Sequence, residues 1–207
     1  MTERLPSESA EAFSLRVKED CRARGVETLR EKTREALLSL VKKNAPRRIL
    51  EIGTAEGATA LEMALAAKTA RIVTVEKDEA RFLAAKENFI AGGVSDRIRQ
   101  ILGDAREVVQ MLKEPYDLIL LDGPKGMYGE FYGTLTGLLS EGGVLFADDV
   151  SFHGYVTGEQ AYRRKHGAII RSLKEFLEKA ESDPTVTSVF YQEEDGYLLI
   201  TKKKTQK

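Results

Sequence analysis

Apolar residues along this chain change their rhythm near Pro46. Before it, Ala12, Phe13, Leu15 and Val17 punctuate a highly charged stretch over 7–24, and Leu37, Leu38, Leu40 and Val41 recur within 29–43. That spacing predicts two amphipathic helices, the first ending near Gly25 and the second near Pro46. Beyond Pro46, short compact apolar runs alternate with helical stretches. The runs RRILEI (47–52), RIVTVE (71–76), 98–102, YDLILLD (116–122) and GVLFAD (143–148) suit buried parallel strands. Between them, 58–67, 78–91, 105–113 and 128–139 suit helices, with Asp78 as an N-cap. A polar loop runs to about Lys165, and a long helix is predicted over 168–181. Two last strands, 186–191 and 197–201, are joined by a Glu-Glu-Asp-Gly turn of hairpin kind.

Five alternations of strand and helix predict an α/β fold. The expected architecture is a doubly wound, mostly parallel seven-stranded sheet with helices on both faces and a C-terminal antiparallel hairpin. Residues 1–45 form an N-terminal helical segment in this reading, and 46–207 one structural unit. Such sheets bind ligands outside the carboxyl ends of their strands. Four of those ends carry acids.

Composition narrows the class. The chain has 207 residues, enough to bury a sizeable core, with 42% hydrophobic and 31% charged residues. No run of about 18 apolar residues exists, so no transmembrane helix is expected. The start, MTERLPSESAEAF, lacks the apolar core of a signal peptide, and a cytoplasmic protein is expected. Cys21 is the single cysteine and forms no internal disulfide; an idle thiol is expected. Lys+Arg number 32 against Asp+Glu 33, a net charge of -1. No whole-molecule field draws nucleic acid, which leaves a local basic patch as the only electrostatic route.

The strand ends hold the candidate chemistry. The first ends in Glu51-Ile-Gly53-Thr-Ala-Glu-Gly57. Gly53 and Gly57 let the backbone turn tightly, and the following helix offers free N–H groups to an anionic group. The same spacing also suits a plain strand–helix turn. It is not G-x-G-x-x-G, which argues against a dehydrogenase. The second strand ends in Glu76, about 20 residues beyond the glycines, where an acid accepts hydrogen bonds from ribose hydroxyls or simply starts a helix. The third leads into Asp104-Ala105, beside which the adenine of a nucleoside would lie; Asp104 also suits a helix cap.

Asp122 closes the fourth strand and Asp148-Asp149 the fifth. Adjacent parallel strands bring such ends together, and crowded carboxylates repel unless a cation neutralises them. Oxygen-only ligands favour a hard ion such as Mg²⁺. Polar strand ends with no metal role are the alternative. Lys125 follows in Asp-Gly-Pro-Lys-Gly; partly desolvated and near a cation, a lysine has its pKa lowered and serves as a base, where otherwise it is a surface charge.

Together these segments resemble the class I S-adenosylmethionine-dependent methyltransferases, in particular the catechol and caffeoyl-CoA O-methyltransferase family. The resemblance runs from about Gly25 to the C-terminus. ILEIGTAEGATALEMA is similar to that family's methionine-side motif, VTVEKD to its ribose motif, YDLILLDGPKGMY to its strand-Asp-x-x-Lys-Gly segment, and GGVLFADDVSFHG to its Gly-Gly-strand-Asp-Asn-Val segment. The resemblance implies that Glu51, Gly53 and Thr59 hold the methionine end of the cofactor, that Glu76 binds ribose, and that Asp104 and Ala105 border the adenine. It implies that Asp122, beside the cofactor, binds a divalent metal with Asp148 and Asp149, and that Lys125 is the base. Asp149 departs from the family's Asn; the extra charge would tighten cation binding, or leave Asp149 protonated or reoriented.

Within the family, KGMYGEFY and DDVSFHGYV look most like bacterial tRNA 5-hydroxyuridine methyltransferases. A 5-hydroxyl beside the C4 carbonyl is a vicinal oxygen pair, much like a catechol, so small phenolic acceptors are the alternative. The loop Arg163-Arg164-Lys165-His166, Arg171 and the tail Lys202-Lys203-Lys204 are candidate phosphate contacts, or a solvated loop and tail. His153 is a candidate for the acceptor pocket or a surface residue. The N-terminal helices would cover the acceptor site or pair two subunits of a homodimer. A non-catalytic nucleotide-binding module is a third class, against which the intact acid, metal and base positions argue.

Overall fold

The structure is a computed structural model that describes residues 4–5, 7–161 and 164–205. Two compact units emerge, Met1–Val108 and Val109–Lys207. The seven strands follow the order β3-β2-β1-β4-β5-β7-β6.

The first unit opens with the two expected helices. The side-chain oxygen of Ser9 accepts the Ala12 N–H and starts α1 (Ala10–Ala23). Phe13, Val17 and Cys21 fall four residues apart on one face and are buried. Helix α2 (Glu31–Asn44) buries Leu37 and Val41, while Leu38 and Leu40 are half-buried. Ala45, left-handed at φ 43°, ends it just before Pro46. Both helices pack on α3 (Ala58–Ala66). Strands β1 (Arg48–Ile52), β2 (Arg71–Glu76) and β3 (Ile98–Leu102) pair in parallel, with Ile52 beside Val75 and Glu76 beside Leu102. Their carboxyl ends are thereby aligned. Asp78 caps α4 (Glu79–Ala91), as its sequence position predicts.

Helix α5 (Ala105–Met111) carries the chain into the second unit. There β4 (Tyr116–Leu121) and β5 (Leu139–Ala147) pair in parallel and are linked through α6 (Tyr128–Gly137). Helix α7 (Gly167–Ser182) leads to the hairpin β6 (Val186–Tyr191) and β7 (Tyr197–Lys202), where β7 runs antiparallel to both β5 and β6. The expected mostly parallel sheet with its antiparallel closing pair is the sheet observed. One boundary differs: β5 begins at Leu139, four residues before Gly143, where the apolar pattern suggests its start. Gly142 adopts φ 76°, and a Cβ on Gly143 would lie 2.9 Å from the carbonyl oxygens of Ser140 and Tyr116. The pair therefore forms an irregularity inside the strand, where the β4–β5 register shifts, rather than its end.

The cores are built mainly of apolar side chains. Ile49, Leu50 and Ile52 of β1 and Leu118 to Leu121 of β4 are buried. In the second unit Phe176 of α7 meets the rings of Tyr128 and Tyr132 edge-on at 5.5 and 5.8 Å. Among the described residues no helix is long and apolar enough to cross a membrane.

Candidate active site

The first unit presents the predicted nucleoside side. Gly53 turns the chain at φ 101° and Gly57 at φ 83°. A Cβ on Gly57 would sit 2.7 Å from the Phe89 ring and 3.0 Å from the Ala85 Cβ, so only glycine lets α3 start this close to α4. Helix α3 has no side-chain cap, which leaves its first N–H groups available to a carboxylate. Thr59 stands in this first turn, half-buried. Glu51 is fully buried and accepts a hydrogen bond from the Thr74 hydroxyl at 2.5 Å.

Glu76 closes β2 with its carboxylate held by the backbone. One oxygen accepts the Ala55 N–H at 2.8 Å and the other the N–H groups of Lys77 and Asp78 at 2.9 Å. The acid thus ties the β2 end to the glycine turn, and its remaining lone pairs suit ribose hydroxyls. Asp104 performs the capping role: it accepts the Arg106 N–H at 2.9 Å and pairs with the Arg106 guanidinium at 2.8 Å. Arg106 holds its pKa down to about 2. Ala105 opens α5 beside it.

The second unit presents the acid rim. Asp122 follows β4, and Asp148 and Asp149 follow β5. Between them Lys125 opens a short 3-10 turn, its Nζ 3.0 Å from Asp149 and 4.0 Å from Asp122. Asp148 is 5% exposed. Burial, with Asp122 and Asp149 nearby, pushes its pKa well above the ordinary carboxylate value. Among the described residues no three His, Cys, Asp or Glu groups converge at metal-ligand spacing. The expected base also behaves differently here. Burial disfavours the Lys125 ammonium, but Asp122, Asp149 and Asp148 together outweigh it and raise the pKa rather than lowering it. Clustered acids take the nearest cation, and in this arrangement the lysine is that cation. An all-oxygen set with one buried, like-charge-crowded carboxylate still fits a hard divalent ion by its donor chemistry.

Two anchors of this rim are silent in the sequence pattern. Tyr128 is fully buried, and its hydroxyl lies 2.9 Å from the Leu121 carbonyl oxygen and 3.2 Å from that of Asp148, bridging the ends of β4 and β5. Asp195, in the β6–β7 turn, accepts the His153 N–H at 2.6 Å and approaches the His153 ring Nδ1 at 3.3 Å. Gly196 accepts from Val150, and a Cβ there would meet the Ser151 hydroxyl at 2.3 Å. The hairpin turn therefore shapes the loop after Asp149. Asp149, Phe152 and His153 all adopt positive φ in that loop, a costly conformation for side-chain-bearing residues. His153 and His166 gather with Phe152 and Tyr155, ring centroids 5.1 to 5.8 Å apart.

The basic residues divide. Lys202 donates to the carbonyls of Thr136, Gly137 and Leu139, and Lys203 to that of Pro184, so two tail lysines are engaged by the fold. Arg164, Lys165 and Arg171 are exposed at the start of α7; Arg163 lies outside the described residues.

Residues 17–203 match the family model described as O-methyltransferase. The chain belongs to the O-methyltransferase family. Among relatives, a catechol O-methyltransferase of Niastella koreensis is 30% identical over 55% of this chain and 53% of that protein. The catechol O-methyltransferase of Bos taurus is 27% identical over 74% of this chain and 64% of its own length. The chain therefore spans less than two thirds of either relative. An SAH-bound methyltransferase of Podospora anserina superposes with a TM-score of 0.83 at 27% identity, covering 97% of this chain and 89% of that one. A Bacillus cereus O-methyltransferase solved in complex with SAH shares the fold, with a TM-score of 0.81 at 24% identity over 96% and 93% of the two chains.

Proposed function

We propose that this family member transfers a methyl group from S-adenosylmethionine to a hydroxyl oxygen of an acceptor bearing two adjacent oxygens. The observation that carries the reading is Lys125 seated among Asp122, Asp148 and Asp149 at the ends of two adjacent strands. Glu51, Gly53 and Thr59 receive the methionine end of the cofactor, Glu76 its ribose, and Asp104 and Ala105 border its adenine. Asp122, Asp148 and Asp149 hold a divalent ion of the Mg²⁺ class. Such an ion, when bound, supplies the charge that draws those carboxylates and lowers the pKa of the acceptor hydroxyl and of Lys125. Lys125 takes the acceptor proton.

A catechol-like small molecule is the acceptor this reading favours, in keeping with the catechol enzymes among the relatives. The exposed Arg164, Lys165 and Arg171 favour a second acceptor, 5-hydroxyuridine at the wobble position of tRNA, for which they supply phosphate contacts. The N-terminal segment up to residue 45 serves as cap or homodimer interface. Incubation with methyl-labelled cofactor and Mg²⁺, beside catechol and beside tRNA carrying 5-hydroxyuridine, tests the reading. Label on the acceptor oxygen of one of them supports it, and no transfer to either overturns it.

A further inference from the structure

The turn that receives the cofactor is clamped from behind. Glu56 lies between Gly53 and Gly57, and it is 8% exposed. Both its carboxylate oxygens are taken by the Arg24 guanidinium, one at 2.8 Å. The Cys21 thiol approaches the same carboxylate at 3.6 Å, and the Asn88 amide donates to the Glu56 carbonyl at 2.9 Å. Arg24 and Cys21 belong to the C-terminal turn of α1, and Asn88 to α4. A cavity of about 340 Å³, lined by Asp20, Ala23, Arg24, Glu56, Glu87 and Asn88 among others, opens on the ion pair. The last turn of α1 is thus fastened to the cofactor turn through Arg24 beside open space, whereas its apolar face rests on α3.

We infer that Arg24 and Glu56 are positioning residues that couple docking of the N-terminal helix to cofactor binding. The inference rests on the reading of the Gly53–Gly57 turn as the cofactor turn. A bidentate guanidinium–carboxylate contact fixes direction as well as distance. It holds the turn in the shape that sets the free N–H groups of α3, and so reduces the ordering the ligand must impose. Coupling is reciprocal: if docking of α1 tightens the cofactor, the cofactor tightens docking of α1 by the same factor. Cys21 reports on that docking. It is 1% exposed, and burial together with Glu56 pushes its thiol up to about 11. As the single cysteine of the chain it gives an unambiguous signal.

The test combines calorimetry with S-adenosylhomocysteine and the rate of Cys21 modification by a disulfide reagent, with and without that ligand. In the wild type, ligand slows the modification. Arg24→Gln and Glu56→Gln each weaken ligand affinity by about fivefold or more, and the double variant is no worse than the weaker single one. Arg24→Lys recovers part of the loss. The loss in turnover assays falls mainly on KM for the methyl donor. A wild type that binds no S-adenosylhomocysteine overturns the cofactor reading and this inference with it. A wild type that binds, with Arg24→Gln and Glu56→Gln binding equally well or Cys21 reacting at one rate with and without ligand, overturns the coupling alone.

Discussion

At the scale of single residues, two charges in the acid rim lead to opposite expectations. In the proposed reaction Lys125 removes the acceptor proton and plays no part in holding the nucleoside. Lys125→Ala is expected to lower turnover by on the order of 10²- to 10³-fold while changing S-adenosylhomocysteine affinity less than twofold, measured by labelled transfer and calorimetry. Turnover that survives the change would assign the base elsewhere. Asp148 would help hold the proposed ion, but its buried charge opposes folding in the ion-free protein. Its folded pKa is raised by burial and by Asp122 and Asp149, above an unfolded value near 4. A carboxyl of that kind contributes fully below its unfolded pKa, and the contribution is lost as pH rises through the folded one. At pH 7 without metal, Asp148→Asn is therefore expected to raise Tm by on the order of 2–4 °C, with the difference closing near pH 4, while methyl transfer falls. Thermal scans in chelator across that pH range check it.

Elements explain how the rim is held. Tyr128 joins the ends of β4 and β5 through two main-chain carbonyls. Tyr128→Phe leaves both buried without this donor and is expected to cost about 1–3 kcal/mol, read from urea unfolding. Gly196→Ala places a methyl against Ser151 at a φ of 70°. It is expected to disturb the loop after Asp149 and weaken acceptor turnover more than cofactor binding, measured as separate KM values. These two positions also mark the limit of what the chain discloses before folding. Period-two and period-3.6 patterns locate the strands and helices because burial on one face is written in neighbouring residues. Asp122, Asp148 and Asp149 are legible because they sit at strand ends, where topology alone directs attention. Tyr128 reads only as the first residue of a helix, and Asp195-Gly196 only as a turn. Their roles depend on contacts across 20 and 42 residues of chain, from Tyr128 to Asp148 and from Asp195 to His153, which no local pattern records. The Gly142-Gly143 pair misleads for a related reason: glycine marks a strand end and an irregularity inside a strand equally well.

At the scale of the molecule, net charge is near neutral and Lys202 and Lys203 are engaged by the fold, so among the described candidates for phosphate contact Arg164, Lys165, Arg171 and Lys204 are exposed. If tRNA is the acceptor, neutralising Arg164, Lys165 and Arg171 together is expected to weaken its binding and flatten the salt dependence by about three phosphate contacts, while leaving catechol turnover intact. Equal salt slopes before and after would exclude that surface. The proposed function assigns the Gly53–Gly57 turn and the acid rim to one methyl-transfer reaction. The measurement that tests this most directly uses S-adenosylmethionine labelled with ¹³C in the methyl group, a catechol acceptor, and NMR of the product with Mg²⁺ or with EDTA. A ¹³C methoxy signal is expected with Mg²⁺ and none in chelator. Equal product in EDTA, or label on carbon or nitrogen, would contradict it.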